Sequence, residues 1–289
     1  MAQVIATNSL SLLVQNNLNR SQKALNQSIE RLSSGHRINS AKDDAAGLAI
    51  SDRMTSQISG LRQADRNIND GISLIQTADS ALGIVTDNVQ RIRDLVVQAA
   101  NGTYSAEDRQ SINNEIDARI SEISRLAGDT SFNQKSLLGG DDSSGEGSTV
   151  TLQVGAYDGQ TVSLHLMNIH TISNALKGGA DKDLSSSGNA LISADGKLQD
   201  NALKLVDAQI KAVDRTRSVL GAQQNSLSST VDSNAAAATN LSAAQSQILD
   251  ADYAAEVSAM STAQIRIEMG QKVLAQANAI PRNVLSLLQ

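Results

Sequence analysis

The chain has 289 residues, 40% of them hydrophobic, which is enough for about two domains with aliphatic cores. It contains no Cys or Trp, one Phe and one Pro, so disulfide frameworks, thiolate metal sites and cysteine nucleophiles are excluded. With 24 Lys and Arg against 30 Asp and Glu the net charge is −6, so no overall positive field draws it to nucleic acid or anionic lipid. Nor does any long apolar run or cleavable leader point to membrane insertion or a secretory route.

The first segment, with Leu18, Leu25, Ile29 and Leu32 on one stripe, is amphipathic but carries too little bulk for a core of its own. A seven-residue series follows in Leu61, Ile68, Ile75, Leu82, Val89 and Val96, with Ile58 and Ile72 three residues ahead. It predicts one helix over about 58–99, roughly 60 Å long, packed as in a coiled coil. Ser105 with Asp108 three residues later has the pattern of a capping box. It opens a shorter helix carried by Ile112, Ile116, Ile120 and Ile123 and ending near Gly128.

From Leu138 to about Gly196 the sequence is punctuated by Gly, Ser and Asp, with one exception. Val150–Val154 and Val162–Leu166 each alternate apolar and polar residues around Asp158–Gly159, which predicts a β-hairpin with one face on the helices. Residues 178–200 read as a small variable loop. A second series, Val206, Val213, Leu220, Leu227, Asn234, Leu241 and Ile248, has Leu203, Ile210, Val231 and Ala238 at the companion position. It predicts a second helix of about 70 Å. The last segment carries Val257, Met260, Ile267, Val273, Leu274, Ala277 and Ile280. Both ends should be marginal helices that become ordered when neighbours bury their stripes, so self-assembly is the economical expectation.

The fold expected is therefore mainly α: long antiparallel helices in a coiled-coil-like bundle, one small hairpin, and N- and C-terminal segments paired together. The companion position also holds Asp65, Asp79, Arg93, Arg217 and Gln224, which fits either a partly exposed edge or polar residues that set register. Chemistry is sparse. No nucleophile elbow, phosphate loop, dinucleotide fingerprint or zinc-protease motif occurs. His165 and His170 lack the neighbours of a metal site, and Asp43–Asp44 read as the start of a helix. Lys42, Arg31 and Arg37 form a small basic patch that faces protein, and Asn101-Gly-Thr103 matches the glycosylation acceptor pattern, a triplet common by chance in an Asn- and Ser-rich chain. No catalytic residue and no cofactor is expected.

Three stretches are more specific: Ala2–Leu13, Glu30–Leu48 with its core Arg31-Leu-Ser-Ser-Gly-His-Arg-Ile-Asn39, and Val273–Asn278 with Asn283–Leu288. In this order they closely resemble bacterial flagellin over about 1–177 and 200–289. That resemblance implies an inner coiled-coil tube from residues 1–44 and 253–289. It implies an outer helical domain from 45–252 with the hairpin near 149–166, and a short form without large outer domains. Self-assembly would rest on Leu18, Leu25, Leu32, Val273, Leu274, Val284, Leu285 and Leu288, and the bundle core on the heptad residues from Leu61 to Leu227.

The same resemblance implies an extracellular filament subunit for motility, exported unfolded by a type III apparatus. Its partners would be further copies of itself, a cytosolic export chaperone, and filament cap and hook-associated proteins. Host receptors are implied as well. Arg91, Leu95 and Glu115 fall where Toll-like receptor 5 engages the family. Arg37, Ile38, Asp43, Asp44, Gly47 and Leu48 fall in the plant receptor epitope, from which Glu30 and His36 depart. The rival readings are a hook–filament junction protein of the same architecture and a non-flagellar coiled-coil scaffold.

Overall fold

The computed structural model describes residues 8–140, 147–177, 191–192 and 198–286, with 281–286 as backbone alone. Its elements run α1 (Ser9–Ser34), α2 (Ala45–Ala99), α3 (Ala106–Asp129), β1 (Ser131–Phe132), β2 (Lys135–Ser136), β3 (Thr149–Gln153), β4 (Thr161–His165), α4 (His170–Lys177), α5 (Ala202–Leu249) and α6 (Tyr253–Ser286). They group into two compact units, Met1–Ile58 with Thr239–Gln289, and Ser59–Ala238. The boundaries of these units fall inside α2 and α5, whereas the expected division at 44/45 and 252/253 falls in the breaks between helices.

In the second unit the two heptad rows meet. Ile68, Ile75, Leu82 and Val89 of α2 join Val206, Val213, Leu220 and Leu227 of α5 and Ile116, Ile120 and Ile123 of α3 in one buried cluster. Burying each such side chain is worth about 1.5–3 kcal/mol, so this row decides the pairing. Leu61 departs from its expected place: it is only half-buried and lies outside the cluster, and Ala64 takes the buried position nearby. The row thins toward the N-terminal end of α2, where small residues replace bulk.

The charges at the companion position resolve into cross-helix pairs at the edge of the seam. Arg217 Nε donates to Asp79 Oδ1 at 2.8 Å, and Arg93 Nε to Asp207 Oδ1 at 2.7 Å, with all four side chains partly exposed. Asn234 Nδ2 donates both to Asp65 Oδ1 at 3.1 Å and to the Val154 carbonyl at 3.0 Å. Exposed pairs of this kind contribute about 0–1 kcal/mol each, so they tune the register that aliphatic burial sets. Gln224 at the same position is half-buried.

The capping box of α3 forms as its spacing predicts. Asp108 N donates to Ser105 Oγ at 3.1 Å, and Ser105 N donates to Asp108 Oδ2 at 3.0 Å. α3 runs one residue past Gly128, and its C-cap is Thr130. The hairpin is antiparallel, with Val150 opposite Leu164 and Leu152 opposite Val162, and these four residues form the face packed on the core. Gly71 of α2 makes the docking possible, because a Cβ there would overlap the Leu152 side chain.

Two elements carry no clear sequence signal. β1 pairs with β2 around Asn133 and Gln134, both at positive φ without the glycine that marks such turns. α4 is opened by the Asn168 side chain, which accepts from His170 N at 2.9 Å, and it buries Ile172 and Leu176. Two apolar residues in an eight-residue helix are too few for a period to show. The loop expected at 178–200 lies largely outside the described residues. Of its described part, Leu191 and Ile192 are buried and Ile192 bridges Leu198.

Candidate self-assembly surface

α1 and α6 pack antiparallel in the first unit: Asn8 Nδ2 donates to the Ala277 carbonyl at 2.9 Å, Leu18 lies against Gly270, and Arg31 pairs with Glu256 at 3.7 Å. Asn8 also accepts from Ser11 N and so caps α1. Gly35 closes that helix at φ 75, a conformation costly for any residue with a Cβ. The covered positions of α1 are Ser11, Val14, Leu18, Ser21, Leu25, Ser28 and Leu32, alternating steps of three and four. Those of α6 are Met260, Ala263, Ile267, Gly270, Leu274 and Ala277, with the same rhythm. This is a coiled-coil seam, and six of these thirteen positions are Ser, Ala or Gly.

The seam divides the expected assembly residues in two. Leu18, Leu25, Leu32 and Leu274 are half-buried and turned into the intrachain pair, whereas Val273 is exposed. Val284 and Leu285 lie on the part of α6 described as backbone, and Leu288 lies outside the described residues. Besides Val273, further apolar side chains stand free: Leu10, Leu12, Leu13 and Ile29 on α1, and Tyr253, Ile265, Met269 and Ile280 on α6. On α6, Ile265 (60% exposed), Met269 (56%) and Val273 recur every four residues, a stripe beside the seam. Sequence periodicity finds the seam positions and Val273, but it passes over Ile265 and Met269, which complete the exposed stripe.

Where the terminal helices join the long ones, His36 bridges Asp250 as an isolated antiparallel pair: Arg37 N donates to the Leu249 carbonyl and Ala251 N to the Gly35 carbonyl. Arg37 Nη2 adds a bond to the Ile248 carbonyl at 2.8 Å, and the His36 ring sits 3.4 Å from Asp250. In this unit α2 and α5 meet through polar groups, Gln245 Nε2 donating to Thr55 Oγ1 at 2.6 Å and Ser51 Oγ at 3.1 Å.

The residues expected to form a plant epitope shape the α1–α2 turn. Ile38 is buried, Asp43 Oδ2 accepts from Ser40 Oγ at 2.9 Å and from Ser40 N at 3.1 Å, and Asp44 Oδ1 caps α2 by accepting from the backbone of Ala46 and Gly47. The Ser40 hydroxyl, with the backbone amides of Asn39 and Ser40, holds the Asp43 carboxyl below the usual carboxylate range. Gly47 is buried against Asp44 and Ile38, Leu48 is half-buried, and Arg37 is exposed. Of the residues expected to meet a Toll-like receptor, Arg91 and Glu115 pair across α2 and α3 at 3.0 Å and are partly exposed. Leu95 is 1% exposed and packs in the core, so it offers no surface to a partner.

His165 sits 3.4 Å from Thr149 across the hairpin and His170 begins α4. Among the described residues no three His, Asp or Glu side chains gather as metal ligands, and no helix is long and apolar enough to cross a membrane. What the terminal pair presents is apolar surface in stripes, whose chemistry is burial against another surface.

Comparison with known proteins matches residues 5–143 to the bacterial flagellin N-terminal helical region and residues 203–288 to the bacterial flagellin C-terminal helical region. Flagellins of Serratia marcescens and Xenorhabdus nematophila are 43% and 44% identical to the chain, each covered in full along with the chain itself. Among solved structures, a flagellar hook-associated protein from Vibrio parahaemolyticus is similar in fold. It has a TM-score of 0.53 and 21% identity, over 72% of this chain and all of that one.

Proposed function

Since the chain belongs to the bacterial flagellin family, a family of structural proteins rather than enzymes, we propose that it polymerises into the flagellar filament that drives motility. The observation that carries this reading is the apolar stripe of Ile265, Met269 and Val273, left uncovered after α1 and α6 have closed their own seam. A monomer in water gains nothing from such a stripe, and a second copy placed on it gains about 25 cal/mol per Å² buried. Residues 1–44 and 253–289 are the part of the chain we assign to the inner tube, and 45–252 to the layer around it. The filament lies outside the cell, reached by unfolded export, with a chaperone holding the C-terminal stripes beforehand and cap and hook-associated proteins at the filament ends. Arg91 and Glu115 are the exposed groups we assign to Toll-like receptor 5, and Arg37, Asp43 and Asp44 the polar ones of the plant epitope.

Seeding purified chain with filament fragments and following growth by electron microscopy tests the proposal. Replacing both Ile265 and Met269 by Ser should leave the monomer's melting profile unchanged and abolish elongation. Filaments of normal length from the doubly substituted chain would sink the assignment of this stripe.

A further inference from the structure

The turn between α2 and α3 holds the sole Asn–Gly dipeptide of the chain, Asn101–Gly102, and its hydrogen bonds arrange it to react with itself. Three groups act on the two ends of one reaction. Thr103 N donates to Asn101 Oδ1 at 3.3 Å, which folds the side chain back over the following peptide and polarises its Cγ carbonyl. The Asn101 backbone carbonyl, part of the same amide as the Gly102 nitrogen, accepts from Arg109 Nη2 at 3.3 Å and from Tyr104 N at 3.4 Å. Drawing electron density toward that oxygen makes the Gly102 N–H more acidic. That N–H donates no hydrogen bond among the described residues, and Asn101, Gly102 and Thr103 are all exposed. Nothing lies within 4 Å of where a Cβ on Gly102 would be.

We propose that Asn101 is a site of spontaneous covalent modification, with the chain's own backbone as nucleophile and water as the second reactant. A solvent base removes the Gly102 N–H proton. The nitrogen adds to Asn101 Cγ, forming the N–Cγ bond of a five-membered succinimide, and the charge that builds on Oδ1 is met by Thr103 N–H. The Cγ–Nδ2 bond breaks and ammonia leaves, carrying a proton returned from solvent. Water then opens the ring at either carbonyl, leaving aspartate or isoaspartate and one added negative charge, with no change of oxidation state. Arg109 contributes by holding the amide that carries the nucleophile, and Thr103 N–H by holding the electrophile near it, so the ends meet without a search.

The experiment incubates the full-length chain at mildly alkaline pH and follows the peptide containing residue 101 by mass spectrometry, together with ammonia release. A short synthetic peptide covering residues 98–105 serves as the unstructured reference. The folded chain is expected to convert at Asn101 at least as fast as the peptide, ahead of every other Asn. Gly102→Ala, which meets no steric obstacle, should suppress conversion. Arg109→Gln should slow it by about tenfold, the effect of one charge-assisted hydrogen bond, and shift the rate profile to higher pH. Circular dichroism of each variant establishes that it is folded. Asn101 remaining intact while the peptide converts, or an Arg109→Gln chain that is folded and converts at the unaltered rate and pH, would overturn the proposal.

Discussion

Leu82→Ala is the sharpest probe of how the second unit is held together. Leu82 is 0% exposed and sits in the middle of the α2 heptad row, within the cluster shared with α5 and α3. Removing three carbons there deletes their transfer free energy and leaves a cavity that long, regularly packed helices cannot easily close. The cost is about 3–5 kcal/mol. For a unit of this size each kcal/mol moves the melting temperature by roughly 2–4 °C, so the expected drop is on the order of 10 °C. Leu61→Ala is the internal control, because Leu61 obeys the same seven-residue spacing but is half-buried and outside the cluster. Its loss should cost only about 1 kcal/mol. The assay is far-UV circular dichroism of unpolymerised chain on heating, with a denaturant titration to check that the slope is unchanged. Equal shifts for the two variants would mean that spacing alone, rather than the cluster seen here, determines the energetics, and the core assignment would fall.

Other expectations follow from the same geometry. Deleting residues 273–289 should yield a chain whose second unit melts as before but which forms no filament when seeded; normal filaments would contradict a role for the C-terminal stripe. The carboxyls of Asp108, Asp43 and Glu122 are held below their ordinary range, chiefly by hydrogen bonds from Ser105, Ser40 and Arg125 respectively. A depressed carboxyl lends stability that is present above its unfolded pKa of about 4 and is lost as pH falls through the lower folded value. Acid titration by circular dichroism should therefore show helix stability falling from about pH 4 downward and continuing below the ordinary carboxylate range, and Ser105→Ala should flatten part of that dependence. Arg91→Ala should lower Toll-like receptor 5 signalling by about tenfold at matched monomer concentration, while helicity is kept; equal signalling would refute the assignment of Arg91.

The long helices were legible because their cores are periodic: Ile68 to Val89 and Val206 to Leu227 repeat every seven residues, and each position is buried. The capping box at Ser105 was equally plain, since its chemistry is confined to four residues. Elements whose cause is tertiary were not legible. α2 starts at Ala45, well before its apolar series, because the Asp44 side chain caps it and a polar contact with Gln245 supports its first turns. α4 and the β1–β2 pair are held by neighbours more than by their own pattern. In the candidate surface the heptad identified Leu18, Leu25 and Leu32 as sharing a face but carried no label saying whose helix would cover it. The burial of Leu95 was hidden for a related reason: similarity to a family segment names positions in a line, and only the helix phase shows which of them point inward.

The small residues along the α1–α6 seam have a thermodynamic consequence. Ser11, Ser28, Ala263, Gly270 and Ala277 let the helices approach closely but take little apolar area out of water. A pair so lightly reinforced draws much of its stability from whatever binds it, and the gain grows logarithmically with the concentration of that ligand. If the ligand is another copy of the chain, order in the terminal helices is linked to the local abundance of subunits. Chain crowded at a growing end is then held further to the helical side than dilute chain, by mass action alone.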